Sequence, residues 1–227
     1  MPDRRAARAP KPSPPRKPPV IRPSGQFAGR LRYDTFVNGR TCILPTWLIA
    51  TSDRHVAARV VILLGGRLHA DEDGDDQEST SGILTNDAAI DILLDGPQAI
   101  RLRMLRRHGS TVLRSCNGRT QQTSLGTQPC QCPPTLKGRW QAAKAGGGCE
   151  PLIQVAFRLA VDPTLGRFLL SSANWAFADH ATTVKAALRR RHGPVRARLA
   201  IDRTLHTTTN GTTFAYTRPT ITILPTP

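Results

Sequence analysis

No stretch of this 227-residue chain approaches the roughly 18 consecutive apolar residues that a membrane-spanning helix needs. Residues 1–23 contain no apolar stretch either, so they do not read as a secretory signal, and the expected compartment is the cytoplasm. The familiar catalytic signatures are missing as well. There is no phosphate-binding P-loop, no Gly-x-Gly-x-x-Gly, no Gly-x-Ser-x-Gly elbow and no His-Glu-x-x-His. Ser171-Ser172 follows a strand-like segment, but no base can be assigned to it. The expectation is a protein that is not an enzyme. Acidic residues are also scarce: 16 against 32 basic ones, a formal charge of +16 and a pI near 11.2. Such a balance favours polyanionic partners through long-range attraction and counterion release. Lysine is rare among those cations, so a chain rich in Arg, Ala and Pro through its coding composition is an equally weighted alternative.

What is present divides into four segments. Residues 1–23 set Arg4, Arg5, Arg8, Lys11, Arg16, Lys17 and Arg22 among prolines and read as a disordered basic arm. Residues 24–115 form the first α+β part of a core, residues 116–150 an inserted zinc-binding module, and residues 151–227 the second α+β part. In the first part, residues 30–37 and 41–51 flank Asn38-Gly39 as a hairpin, with Pro45 marking an edge or bulge. A helix follows over 53–64, capped by Thr51 or Ser52, with Val56, Val60, Leu63 and Leu64 inward and Gly65-Gly66 ending it. Residues 71–78 hold six carboxylates in eight positions. Asp71-x-Asp73-x-Asp75 resembles a calcium loop, but the twelfth position is Gly82 rather than Glu, so a solvated loop is expected. Residues 83–94 read as one strand, and residues 100–106 and 110–115 as a hairpin. The period of two in the first arm of that hairpin places Arg101 and Arg103 on one face, as a basic stripe.

After the module, residues 152–161 and 166–171 flank Asp162-Pro163 as a third hairpin. A second helix spans 175–191, capped by Asn174, with Phe177, Ala181, Val184 and Leu188 buried. Arg189, Arg190 and Arg191 lie at its negative end, and Gly193-Pro194 stops it. Residues 195–204 and 212–223 close the chain as a hairpin around Asn210-Gly211. The expected fold class is therefore α+β: mostly antiparallel sheet, about eight or more strands, two main helices and the inserted four-cysteine module.

The cysteines are ordered Cys116-x13-Cys130-x-Cys132-x16-Cys149, with Cys42 far upstream. Thiols in a reducing compartment point to metal or free thiol rather than disulfide. Four thiolates satisfy tetrahedral zinc and leave no open position. The residues between them, Asn117-Gly118, Pro133-Pro134 and Gly146-Gly147-Gly148, suggest irregular backbone with almost no core beyond Leu136 and Trp140. So core-poor a segment needs a staple, and zinc contributes roughly 10–16 kcal/mol. The prediction is one structural Zn2+ on Cys116, Cys130, Cys132 and Cys149, without Cys42. The alternatives are a redox pair at Cys130 and Cys132, which lacks the usual βαβ setting, and plain buried thiols. His108 and His180 are possible substitute ligands.

These landmarks also carry a resemblance. Cys116-Asn117-Gly118, Pro129-Cys130-Gln131-Cys132-Pro133, Cys149-Glu150-Pro151, Gly166-Arg167-Phe168 and Ser171-Ser172-Ala173-Asn174-Trp175-Ala176 form one part of it. Upstream, Gly29-Arg30-Leu31-Arg32, Asn38-Gly39-Arg40, Thr51-Ser52-Asp53 and Leu64-Gly65-Gly66 extend it over residues 25–223. The whole resembles an actinobacterial phage-derived family that includes the recombination directionality factors of large serine integrases. The resemblance implies a non-catalytic protein that binds an integrase on its attachment sites, near that enzyme's coiled-coil element. It would favour excision over integration and associate with the nucleoid when so bound. Competing with it is a basic zinc-containing DNA- or RNA-binding regulator of a mobile element. That regulator would use the basic arm and the arginines at 101 and 103. A metallohydrolase is a weaker third reading.

Overall fold

Alternation of apolar and polar residues decides most of the architecture. A computed structural model describes residues 27–37, 40–69, 81–108, 111–123, 126–208 and 210–225. The basic arm and the acidic stretch at 71–78 lie outside the described residues, as does the Asn38-Gly39 turn.

Strand β10 (Glu150–Leu159) is the hub. From Pro151 onward every second residue is buried, and Ile153, Val155, Phe157 and Leu159 are fully enclosed. One long edge of β10 pairs with β11 (Phe168–Ser172), where Phe157 stacks on Phe168 with ring centroids 6.1 Å apart. β11 pairs in parallel with β1 (Gly29–Val37), and every other pairing between described strands is antiparallel. β1 continues to β2 (Arg40–Thr51), then β4 (Ser81–Leu84) and β3 (Arg67–His69).

The other edge of β10 is shared by two successive strands. β5 (Ala89–Leu94) pairs with Arg158 and Leu159, and β6 (Ile100–His108) pairs with residues 150–155. Between them the short 3-10 turn Pro97–Ala99 makes a corner. β5 leads away into β12 (Val195–Thr207) and β13 (Thr213–Ile223). β6 leads into β7 (Thr111–Cys116), β8 (Thr120–Thr123) and β9 (Gly126–Pro129). The sheet therefore branches at β10.

Three α-helices occur among the described residues, one more than expected. α1 (Arg54–Leu64) is capped by Asp53, whose Oδ1 accepts the His55 and Val56 amides at 2.8 and 3.2 Å. Thr51, one of the expected caps, instead donates its hydroxyl to the Ala28 carbonyl. Val56 and Val60 are buried as expected, whereas Leu63 and Leu64 are only half-buried. α3 (Trp175–Leu188) has the expected Asn174 cap and buries Phe177, Ala178, Ala181, Val184 and Leu188. It ends three residues earlier than predicted: Arg189 is its C-cap, and Arg190 and Arg191 lie in the turn beyond. α3 sits in the angle of the branch, against β13, β10, β6 and the 3-10 turn.

α2 (Leu136–Lys144) is the unforeseen helix, and with the β8–β9 hairpin it replaces the irregular backbone expected between the cysteines. Residues 83–94 also divide, into β4 and β5. The break is made by Trp47, whose amide donates to Thr85 Oγ1 and whose indole N–H donates to the Ala88 carbonyl at 2.9 Å. Pro45 lies in a bulge, as expected: β2 carries extra residues between Ile43 and Leu48 against the single Tyr33 of β1.

Candidate metal centre

Four segments converge at the end of the sheet where β10 begins. Cys116 is the last residue of β7, opposite Met104 of β6. Cys149 immediately precedes β10, and Cys130 and Cys132 follow β9. Cys116 and Cys149 are buried with Met104, and Cys130, Cys132 and Trp175 pack on them in a cluster separate from the main core. The Sγ atoms of Cys116, Cys132 and Cys149 all lie within 4.8 Å of one another. Cys116 and Cys132 are 3.7 Å apart. A tetrahedron of thiolates at a Zn–S distance of about 2.3 Å has edges of about 3.8 Å, so this spacing suits a metal of that size. These thiols could hold a metal ion. Cys130 adjoins the trio without joining it at that spacing.

Local structure supports the thiols from the backbone. Asn117 Oδ1 accepts the amides of Arg119 and Thr120, both at 2.8 Å, and so tightens the β7–β8 turn. The Cys130 amide donates to the Arg119 carbonyl at 2.7 Å, and the Cys132 amide donates to Cys130 Sγ at 3.4 Å. Arg139 of α2 bridges the surrounding carbonyls: Nε donates to Pro133, and one terminal nitrogen donates to Gly118 and Pro134. Gly118 has φ 87°, and a Cβ there would overlap the Arg139 guanidinium. Gly148 presses so closely on α2 that a Cβ would overlap the backbone of Ala142 and Ala143.

The electrostatics follow from burial. Burial first, and then Cys130, push the Cys116 thiol up to about 12. Burial, then Cys130 and Cys149, do the same for Cys132, also to about 12. Burial also raises Cys149. For Cys130 burial acts upward too, but hydrogen bonds from Cys116, the Cys132 amide and Cys132, with the charge of Arg114, outweigh it and lower its pKa. With thiols alone, Cys130 is the sulfur of the four whose ionisation is made easier and not harder. A bound divalent cation would reverse the shift at the other sulfurs. Soft donors and the close spacing of the three sulfurs fit such an ion, and the amides and nearby arginines would offset the charge of its thiolates.

The other predicted residues lie elsewhere. Cys42 is exposed on β2. His108 is exposed at the end of β6, and the His180 imidazole meets the backbone of Ile221 on β13 through Nε2. Neither belongs to the cysteine group found among the described residues. Arg101 and Arg103 are both exposed on β6, and Arg189, Arg190 and Arg191 are exposed at and beyond the end of α3. Sequence reasoning missed Arg139 and Arg114, whose roles come from contacts across the module and have no local pattern.

No solved structure matches the chain. The family model for Gp3-like proteins, described as recombination directionality factor-like, matches residues 44–222, a span that includes all four clustered cysteines and most of the sheet. The chain belongs to this recombination directionality factor-like family.

Proposed function

We propose that the protein is a recombination directionality factor. It binds a large serine integrase seated on attachment-site DNA and switches it from integration to excision. The observation that carries this reading is the family match over residues 44–222. The integrase supplies the serine nucleophile, and this chain supplies contacts. Moving a synapse equilibrium from 1:99 to 99:1 takes about 5.5 kcal/mol of differential affinity, so the factor must bind the excisive arrangement that much better.

In this reading Cys116, Cys130, Cys132 and Cys149 hold one structural zinc, with Cys130 closing inward to complete the set. Four thiolates leave no position for an activated water, so the metal centre shapes the module of residues 116–150 and performs no chemistry. That module lies between core parts 24–115 and 151–227, with residues 1–23 as a basic arm. The protein acts in the cytoplasm, on the nucleoid when integrase-bound. No helix among the described residues is long and apolar enough to cross a membrane.

The test mixes attL, attR and a large serine integrase from the same genome, with and without the protein, and scores excision. Excision should rise, and integration between attP and attB should fall. If neither changes while the protein alone binds one DNA or RNA sequence tightly, it is a nucleic-acid-binding regulator instead.

A further inference from the structure

Two sets of arginines that are far apart in the chain are brought together by the branch in the sheet. Arg101 and Arg103 are two residues apart on β6 and share a face. Over residues 100–103, β6 pairs only with β10, because β7 joins it from Met104 onward, so this end of the strand is an open edge. α3 packs beside it and beside the 3-10 turn that leads into Arg101. Lys185 and Arg189 are one helical turn apart on α3. Burial first, then the charges of Arg189 and Arg101, lower the Lys185 pKa, so both guanidiniums lie within electrostatic reach of its amine. The surface continues past the helix. Arg191 and His192 border an open cleft of about 340 Å³ whose other wall is Asp95 and the 3-10 turn residues Pro97 and Gln98.

This concentration of charge is not matched by ion pairs. Asp95, which lines the same cleft as Arg191, pairs with Arg158, and Asp91 pairs with Arg196 and Arg198. Among the described residues, none of Arg101, Arg103, Lys185, Arg189, Arg190 and Arg191 takes part in an ion pair. Crowded like charges are unfavourable alone and favourable against an anion. The surface also lacks a protein interface's usual anchor. The exposed large apolar residues of the described chain, such as Ile62, Leu113, Trp140 and Leu205, belong to other elements. Protein interfaces draw most of their energy from buried aromatic and aliphatic anchors, whereas a phosphate backbone asks only for spaced charge and donors. Arginine suits that task because its planar fork meets phosphate oxygens in pairs.

The geometry points to one phosphate-tracking surface, running from Arg101 and Arg103 over Lys185 and Arg189 to Arg191, that binds the backbone of duplex DNA without reading its sequence. It does not depend on the integrase reading; if both hold, the factor grips DNA beside the enzyme it redirects.

The test measures binding of the full-length protein to a labelled random-sequence duplex by fluorescence anisotropy, from about 50 to about 200 mM salt. Arg101→Ala/Arg189→Ala is compared with Arg54→Ala/Arg67→Ala, which removes the same charge from exposed positions on α1 and β3, at the other end of the sheet. Each phosphate contact contributes about −0.9 to the slope of log affinity against log salt, so the first variant should lose about 1.8 from that slope. Its affinity at low salt should fall at least about tenfold. The control should keep the wild-type slope, and Arg101→Lys/Arg189→Lys should recover most of it. Equal losses in the two alanine variants would reduce the effect to net charge and overturn the inference. So would unchanged duplex binding together with lost capture of purified integrase in the absence of DNA, which would assign the surface to the protein partner.

Discussion

β10 and α2 are neighbours in the chain and are held in place by opposite means. β10 buries Ile153, Val155, Phe157 and Leu159 completely and has paired strands along both edges. α2 buries no residue at all. Its start is capped by Thr135, whose Oγ1 accepts the Gly138 amide at 3.1 Å, and its middle is tied down by Arg139 bonding to three carbonyls. Its end folds back through the Gly148 amide onto the Ala142 carbonyl at 2.8 Å. Apolar burial scales with area and holds without any ligand. A module built from turns, one arginine and a thiol cluster has little to set against its chain entropy unless something joins the thiols. The two regions should therefore respond differently to different insults.

The largest contrast should come from the metal. Wild-type protein should carry about one zinc per chain, contributing on the order of 10–16 kcal/mol of apparent binding free energy. Cys132→Ser should carry essentially none. Hydrogen exchange should then quicken across β8, β9 and α2 while the amides of β10 keep their protection. Elemental analysis with exchange mass spectrometry reads both. Equal metal in the two proteins would remove Cys132 from the ligand set. Loss of protection in β10 would show that the two regions fold as one unit.

The reverse experiment sharpens the same comparison. Phe157→Ala deletes a fully buried ring stacked on Phe168 and should cost about 3–5 kcal/mol in urea unfolding. Protein that remains folded should keep its full metal content, because the thiol cluster packs apart from the main core. A parallel fall in zinc would mean that the core sets the thiol geometry.

The contrast also explains what could be read from the sequence. β1 and β2, β12 and β13, α1 and α3 announce themselves through alternation, helical periodicity and turn or cap residues such as Asn174 and Asn210-Gly211. Those signals are local consequences of burying one face. The thiol cluster was legible in part: the order of cysteines in a core-poor segment pointed to a shared site, and the structure brings Cys116, Cys132 and Cys149 together. α2 has only a short stripe of Leu136, Trp140 and Ala143, none of it fully buried, and the β8–β9 hairpin has no apolar face, so no strong period marks them. Arg139 acts through carbonyls at Pro133, Pro134 and Gly118, a set that only the folded turn assembles. The division of residues 83–94 depends on Trp47, whose two hydrogen bonds shape the turn from β2. The branch at β10 and the meeting of Arg101 with Lys185 depend on register between distant strands, which adjacent residues do not encode.

The smallest expected effect probes the branch itself. Asp91 on β5 accepts from Arg196 and Arg198 on β12, each at 2.9 Å, and so ties the second limb of the sheet by charge as well as by pairing. The hydrogen bond from Arg198 is the largest influence on its carboxyl. Partial burial opposes it and Arg196 reinforces it, and the net result is a pKa below the usual aspartate value. A carboxylate whose pKa is depressed in the folded protein stabilises the fold fully above the unfolded value of about 3.9. That contribution is lost as pH falls through the lower folded value. Both arginines are more than half exposed, so solvent screens the pair and the contribution at neutral pH should be only about 0.5–1 kcal/mol. Asp91→Asn should therefore unfold at slightly lower urea than wild type at pH 7, and the difference should vanish below the folded pKa of Asp91. A difference that persists in strong acid would show that Asp91 contributes packing or neutral hydrogen bonds instead of charge. One that grew as the pH fell would reverse the sign of the linkage and remove the ion pairs as its cause.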